Sequence, residues 1–153
     1  MKEDKVCEFN SFGLGFLVFL MLSFTLSLGS ASTLTACQTL SSSGYYDLSQ
    51  SITANATCFT VTADNVEIDC KGYKIDYGIN GVNSGMGIDA TDGSNTHTNL
   101  TVRNCIIVKP RVNGTTGYGI RLTRFSNSFI VNNTIKTNGS NSNYGMLLTT
   151  NSQ

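Results

Sequence analysis

Tyr118-Gly-Ile-Arg-Leu122 and Asn127-Ser-Phe-Ile-Val-Asn-Asn-Thr-Ile135 decide the fold, because both recur elsewhere in the chain. The first recurs as Met86-Gly-Ile-Asp-Ala90 and Tyr144-Gly-Met-Leu-Leu148: a large residue, a glycine, then apolar positions alternating with variable ones. The second begins like Asn65-Val-Glu-Ile-Asp69 and Asn99-Leu-Thr-Val-Arg103. Between the copies lie polar turns, Asp64-Asn65, Ser94-Asn95 and Ser126-Asn127. Apolar residues that alternate over a few positions between clusters of Asn, Gly, Ser and Thr are the signature of short strands.

The spacing turns strands into an architecture. Gly87 to Gly119 is 32 residues and Gly119 to Gly145 is 26. A helical repeat of that length needs runs of 3.6-residue periodicity, and none occurs. A unit of two or three short strands cannot bury its own apolar side, but stacked copies about 4.8 Å apart can. The expected fold is therefore an all-β parallel β-helix, a solenoid. Asn104 and Asn132 occupy equivalent places after the second strand, Cys105 and Asn133 follow, and Ile107 and Ile135 return to the apolar register. Stacked turns would bring the two asparagines together as an amide ladder. Isolated ones such as Asn80 and Asn141 read as ordinary loop residues.

Residues 9–31 carry no charge and hold an apolar core from Phe12 to Leu28, followed by Gly29-Ser-Ala31. This segment reads as a signal peptide over 1–31, with an uncleaved signal anchor as the alternative. Leu34-Thr-Ala-Cys37 also matches a lipobox, in which Cys37 would be acylated. Each reading sends the rest of the chain out of the cytoplasm and leaves the N-terminal segment as its only tie to a membrane. Beyond Cys7, four cysteines remain: Cys37, Cys58, Cys70 and Cys105. An even number in an exported chain favours disulfides. With a single histidine, His97, in a segment read as a loop, and no Cys-x-x-Cys, a zinc site is not expected. Sequons for N-glycosylation stand at Asn55, Asn99, Asn113, Asn132 and Asn138.

Cys37-Gln-Thr-Leu40, Tyr45-Tyr-Asp-Leu48, Ile52, Cys58 and Asn65-Val-Glu-Ile-Asp-Cys-Lys-Gly-Tyr-Lys-Ile75 resemble the entry segment of right-handed parallel β-helix repeat proteins. These share the fold of the pectin-lyase-like superfamily, and the Asn127–Ile135 run resembles their repeat consensus. The resemblance implies a right-handed solenoid over 37–152 and says little about activity, since the consensus residues are structural. Hydrolases of the superfamily use clustered aspartates on successive coils. Here Asp89 and Asp92 share one coil, and the aligned positions on the next are Arg121 and Arg124. No acid/base pair of the glycosidase type is visible. Asp69, Asp89 and Asp92 offer hard oxygens suited to calcium, but they read first as solvated turn and strand-exterior residues, and no cofactor is expected.

Residues 32–64 read as an N-terminal cap with the first strand, and 65–153 as coils. Leu148-Thr-Thr-Asn-Ser-Gln153 matches a strand-to-turn passage that elsewhere leads onward, so the chain reads as truncated at its C-terminus. Cys37 and Cys58 are expected to close the cap, while Cys70 and Cys105 sit on neighbouring coils one residue out of step unless Lys71-Gly72 acts as an insertion. Four cysteines allow three pairings. Residues 32–100 hold seven acidic side chains against Lys71 and Lys74, whereas 101–153 hold six basic and no acidic ones. A basic zone attracts anionic partners, so Arg103, Arg121 and Arg124 are the candidate ligand-binding residues. An acidic polysaccharide or cell-surface glycan suits an exported chain better than nucleic acid does. Three functions are carried forward: a secreted or cell-surface protein binding glycans without catalysis, the first coils of a polysaccharide lyase or glycoside hydrolase, and a structural stalk.

Overall fold

In the computed structural model, residues 31–80, 85–91, 97–112, 116–139 and 143–149 are described. The signal segment, Asp92 and the sequon residue Asn113 lie outside them. The strands are β1 (Ser32–Leu34), β2 (Gln38–Leu40), β3 (Gly44–Leu48), β4 (Ile52–Thr53), β5 (Phe59–Val61), β6 (Val66–Asp69), β7 (Lys74–Asp76) and β8 (Gly85–Ala90). They continue as β9 (His97–Thr98), β10 (Thr101–Arg103), β11 (Ile106–Val112), β12 (Gly117–Thr123), β13 (Phe125–Ser126), β14 (Phe129–Val131), β15 (Thr134–Gly139) and β16 (Asn143–Thr149).

All recorded pairings are parallel, in three main sheets. Sheet A runs β1-β3-β6-β10-β14, sheet B runs β16-β12-β8-β5-β2, and sheet C runs β15-β11-β7-β4, with β9 and β13 as a fourth pair. From β3 onward the chain visits A, C and B in turn, and each return adds the next strand to each sheet. This order is compatible with a β-helix-like solenoid. Parallel strands need a crossover between neighbours, and here the other two sheets supply it.

The registers reproduce the alignment of the repeats. Tyr118 lies opposite Met86 and Tyr144, Val102 opposite Ile68 and Ile130, and Ile107 opposite Ile75 and Ile135. The resulting core stacks Ile68 with Val102, Ile75 with Ile107, and Ile88 with Ile120, all fully buried. The glycine of the repeat has a steric cause. A Cβ on Gly87 would lie 2.5 Å from the Gly119 carbonyl oxygen and 2.5 Å from Ile107 Cγ2, and one on Gly119 would meet Gly145 and Ile135 likewise. Sheets B and C approach too closely at this corner for any side chain.

The asparagines hold the turns. Asn65, Asn99, Asn104, Asn127 and Asn132 all have φ between 48° and 56°, the left-handed region that Asn tolerates. Asn132 Nδ2 donates to Asn104 Oδ1 at 2.8 Å, and Asn104 Nδ2 to Asp69 Oδ1 at 3.0 Å. Asn133 has a separate task. Its Oδ1 accepts from the Cys105 N–H and its Nδ2 donates to the Val102 carbonyl, tying one coil to the previous one.

Two disulfides pin the first part of the stack, Cys37–Cys58 with Cα atoms 4.5 Å apart and Cys70–Cys105 at 4.7 Å. The second lies where the register changes along the coil. Arg103 pairs with Asp69, 34 residues back, but Ile106 pairs with Lys74, 32 back. The turn at Lys71-Gly72 absorbs the two extra residues, and the Cys70–Cys105 bridge lies beside it. Disulfides point to an extracellular or otherwise oxidising environment. No helix among the described residues is long and apolar enough to cross a membrane.

Candidate functional site

Charge is distributed differently from the split along the sequence. Acidic side chains of earlier coils face basic ones of later coils across the strand ladder. Arg103 Nε donates to Glu67 Oε1 at 2.7 Å, and its Nη2 is 3.1 Å from Asp69 Oδ2. Arg121 grips Asp89 with two bonds, Nε to Oδ1 at 2.9 Å and Nη2 to Oδ2 at 2.6 Å. Charge neutralises from coil to coil, so Arg103 and Arg121 do not form a free basic zone. Nor do they lie together: Arg103 is on sheet A and Arg121 on sheet B. Arg124 is half-buried just after β12, in a left-handed conformation with φ 52°. Lys109 is buried inside, where its Nζ donates to the Thr116 carbonyl at 3.3 Å and burial lowers its pKa.

Asp69 and Asp89 also differ from the solvated residues expected. Both are buried. Asp69 accepts from the Lys71 N–H at 2.8 Å and from Asn104, and lies 3.1 Å from Lys71 Nζ. Burial pushes its carboxyl up, but the bonds from Asn104 and Lys71 and the charge of Arg103 outweigh this and hold it below the usual value. Among the described residues, no group of three or more His, Cys, Asp or Glu side chains is placed to hold a metal ion. His97, expected in a loop, is a buried residue of β9 paired opposite Phe125. Of the sequons, Asn55, Asn99, Asn132 and Asn138 are exposed, but the Asn99 and Asn132 amides are engaged in ladders.

One outer surface brings chemistry together. On sheet B, Tyr118 and Tyr144 are in register and their rings stack, centroids 5.8 Å apart and 11° from parallel. The outward direction follows from their neighbours, since Gly117 and Gly119 on either side of Tyr118 face inward. Tyr144 is 54% exposed and Tyr118 half-buried. Three residues along the strand stands the Asp89–Arg121 pair, where Thr91 Oγ1 donates to Asp89 at 2.7 Å and accepts from Arg121 Nη2 at 3.0 Å. The strip thus combines an apolar, flat aromatic ledge with fixed donors and acceptors of no net charge. Sequence reading found the large residue before each glycine but not its use. The signal was the Tyr-Gly pair at 118 and 144, which becomes a stack only once the offset of 26 residues is known.

No protein-family description, curated protein or solved structure matches this chain.

Proposed function

We propose that the chain forms an exported, right-handed parallel β-helix that binds glycans on the outer face of sheet B without catalysis. The cyclic order of the sheets supports the β-helix, and parallel crossovers in a sheet are right-handed in about 98% of cases. The two disulfides support export. One observation carries the binding reading: the stacked Tyr118–Tyr144 ledge beside the Asp89–Arg121–Thr91 cluster. A pyranose presents an apolar face to an aromatic ring and a rim of hydroxyls to polar groups, and this strip offers both. Asp89 favours binding over hydrolysis, because a carboxylate gripped by two guanidinium bonds is poorly placed to deliver a proton. The ligand includes cell-surface glycans and acidic polysaccharides, held chiefly by stacking and hydrogen bonds because the arginine charges are matched.

Glycan-array binding and calorimetry test this reading. Tyr118→Ala/Tyr144→Ala is expected to weaken binding about tenfold or more, with a modest salt dependence. Intact binding in that variant would refute the site. Release of reducing ends from polygalacturonate or a neutral glycan, lost in Asp89→Asn, would replace it with an enzymatic one.

A further inference from the structure

Sheet A carries a second surface, formed by other residues. An open cleft of about 410 Å³ lies where Ser43–Tyr45, Asn65–Glu67, Asn99 and Thr101 meet. Its lining comes from three successive coils, since Tyr45 lies opposite Glu67 and Glu67 opposite Thr101. Tyr45 is 53% exposed and forms one wall. Glu67 and Thr101 form the next, and the Asn65–Asn99 ladder closes the end.

The polar atoms of this cleft are only partly used. Asn99 Nδ2 donates to Asn65 Oδ1 at 2.7 Å, which leaves the Asn65 amide N–H groups as donors and Asn99 Oδ1 as an acceptor. The backbone N–H groups of both asparagines are spent on the next coil, on the Thr98 and Ser126 carbonyls. Glu67 gives Oε1 to Arg103, and its other oxygen adds an acceptor. At Gly44 a Cβ would meet nothing within 4 Å, so the space above it is not filled by packing.

We propose that this cleft is a saccharide subsite for one neutral sugar ring, stacked on Tyr45 and hydrogen-bonded to Glu67, Asn65 and Asn99. A sugar hydroxyl both donates and accepts, and the cleft offers both kinds of atom a few ångströms from an aromatic face. Its volume is near the lower end of small-ligand sites, about 300–1,000 Å³, which suits one ring and not a long chain. The lining holds one charged group, Glu67, and its Arg103 partner is already engaged. A uronate would meet that carboxylate, so the neutral sugar is preferred. Asn99 and Thr101 belong to one sequon, and a glycan attached there would fill the same space.

This deepens the glycan-binding reading yet stands on separate residues, so the two can fail separately. The test uses unglycosylated full chain titrated calorimetrically with cellohexaose, mannohexaose and hexagalacturonate. With the strip removed by Tyr118→Ala/Tyr144→Ala, binding of at least one neutral hexasaccharide is expected to persist. Adding Tyr45→Ala should then weaken it about tenfold or more, while Tyr45→Phe should restore it. Tyr45 is half exposed, so its loss leaves no core cavity, and Glu67→Gln gives a second variant that keeps an acceptor for Arg103. With the strip removed, binding unchanged by Tyr45→Ala, stronger binding of hexagalacturonate than of the neutral hexasaccharides, or no neutral binding at all would each overturn the cleft. A protein weakened by Tyr45→Ala but not by Tyr118→Ala/Tyr144→Ala would instead refute the strip and keep the cleft.

Discussion

The first coils and the last one are written in the same pattern and packed very differently. Ile120 and Leu122 on β12 are fully buried, whereas Met146 and Leu148, opposite them on β16, are 42% and 46% exposed. Phe129 and Val131 on β14 are exposed as well, while Leu34 and Leu40 at the other end are sealed. Both disulfides join cysteines between residues 37 and 105. A strand in this architecture is buried largely by its neighbours, and β14 and β16 each pair with one described strand only. Stability should therefore be graded along the stack, and paired substitutions measure the gradient.

The largest difference is expected at the core position that repeats. Ile120→Ala should cost about 2–5 kcal/mol, the usual range for a buried Ile truncated to Ala. Met146→Ala, one coil later, should cost under about 1 kcal/mol, because half the side chain already contacts water. Denaturant midpoints of the two variants check this, and equal losses would break the gradient.

The disulfides come next. By chain entropy alone, cross-links of sequence separation 21 and 35 should each contribute about 3–4 kcal/mol. Replacing Cys37 and Cys58 with Ala should lower the melting temperature strongly and make the first coils exchange amide hydrogens sooner. The β16 amides should change little, because nearest-neighbour stacking confines the loss. Peptide mapping of non-reduced protein checks the pairing, and Cys37 joined to Cys105 would contradict it.

A smaller effect separates two glycines of one column. Gly119→Ala pushes a methyl group into the Gly145 carbonyl and Ile135, and overpacking of this kind costs about 1–3 kcal/mol. A Cβ on Gly145 would meet only Ile135 Cγ2, at 3.7 Å, an ordinary contact. Gly145→Ala is therefore expected to be close to neutral, and thermal melts of both variants compare them.

These contrasts show what could be read from residues alone. The offsets between Gly87, Gly119 and Gly145, and between Asn104 and Asn132, are local patterns, and they reappear as strand registers. Period-two alternation and a glycine demanded by a close approach leave marks at fixed spacing. The outer faces leave none. That Arg121 belongs to Asp89 and Arg103 to Glu67 depends on which coil stacks on which, at separations of 32 and 36 residues. His97 looked like a loop residue because β9 is only two residues long. The Tyr45 cleft is assembled from three coils, and no single segment contains it.

The smallest effect separates two rungs of one ladder. Asn132 to Asn104 is an amide rung and does not titrate, whereas Asn104 to Asp69 ends on a carboxylate. Burial raises the Asp69 pKa, and the bonds from Asn104 and Lys71 with the Arg103 charge lower it by more, so the folded value lies below the ordinary 3.8. A depressed folded pKa contributes stability that is present above the unfolded pKa and lost as pH falls through the folded one. The early coils should thus loosen below about pH 4, and the loss should continue until the folded carboxyl is protonated. Asp69→Asn should cost about 1 kcal/mol at pH 7, the net worth of one hydrogen bond, and flatten the acid limb of the stability curve. Asn132→Ala should cost about as much at pH 7 but leave the acid limb unchanged. Urea unfolding of the three proteins from pH 7 to pH 2 distinguishes the rungs: an acid limb as steep in Asp69→Asn as in the parent would show that another carboxylate governs it.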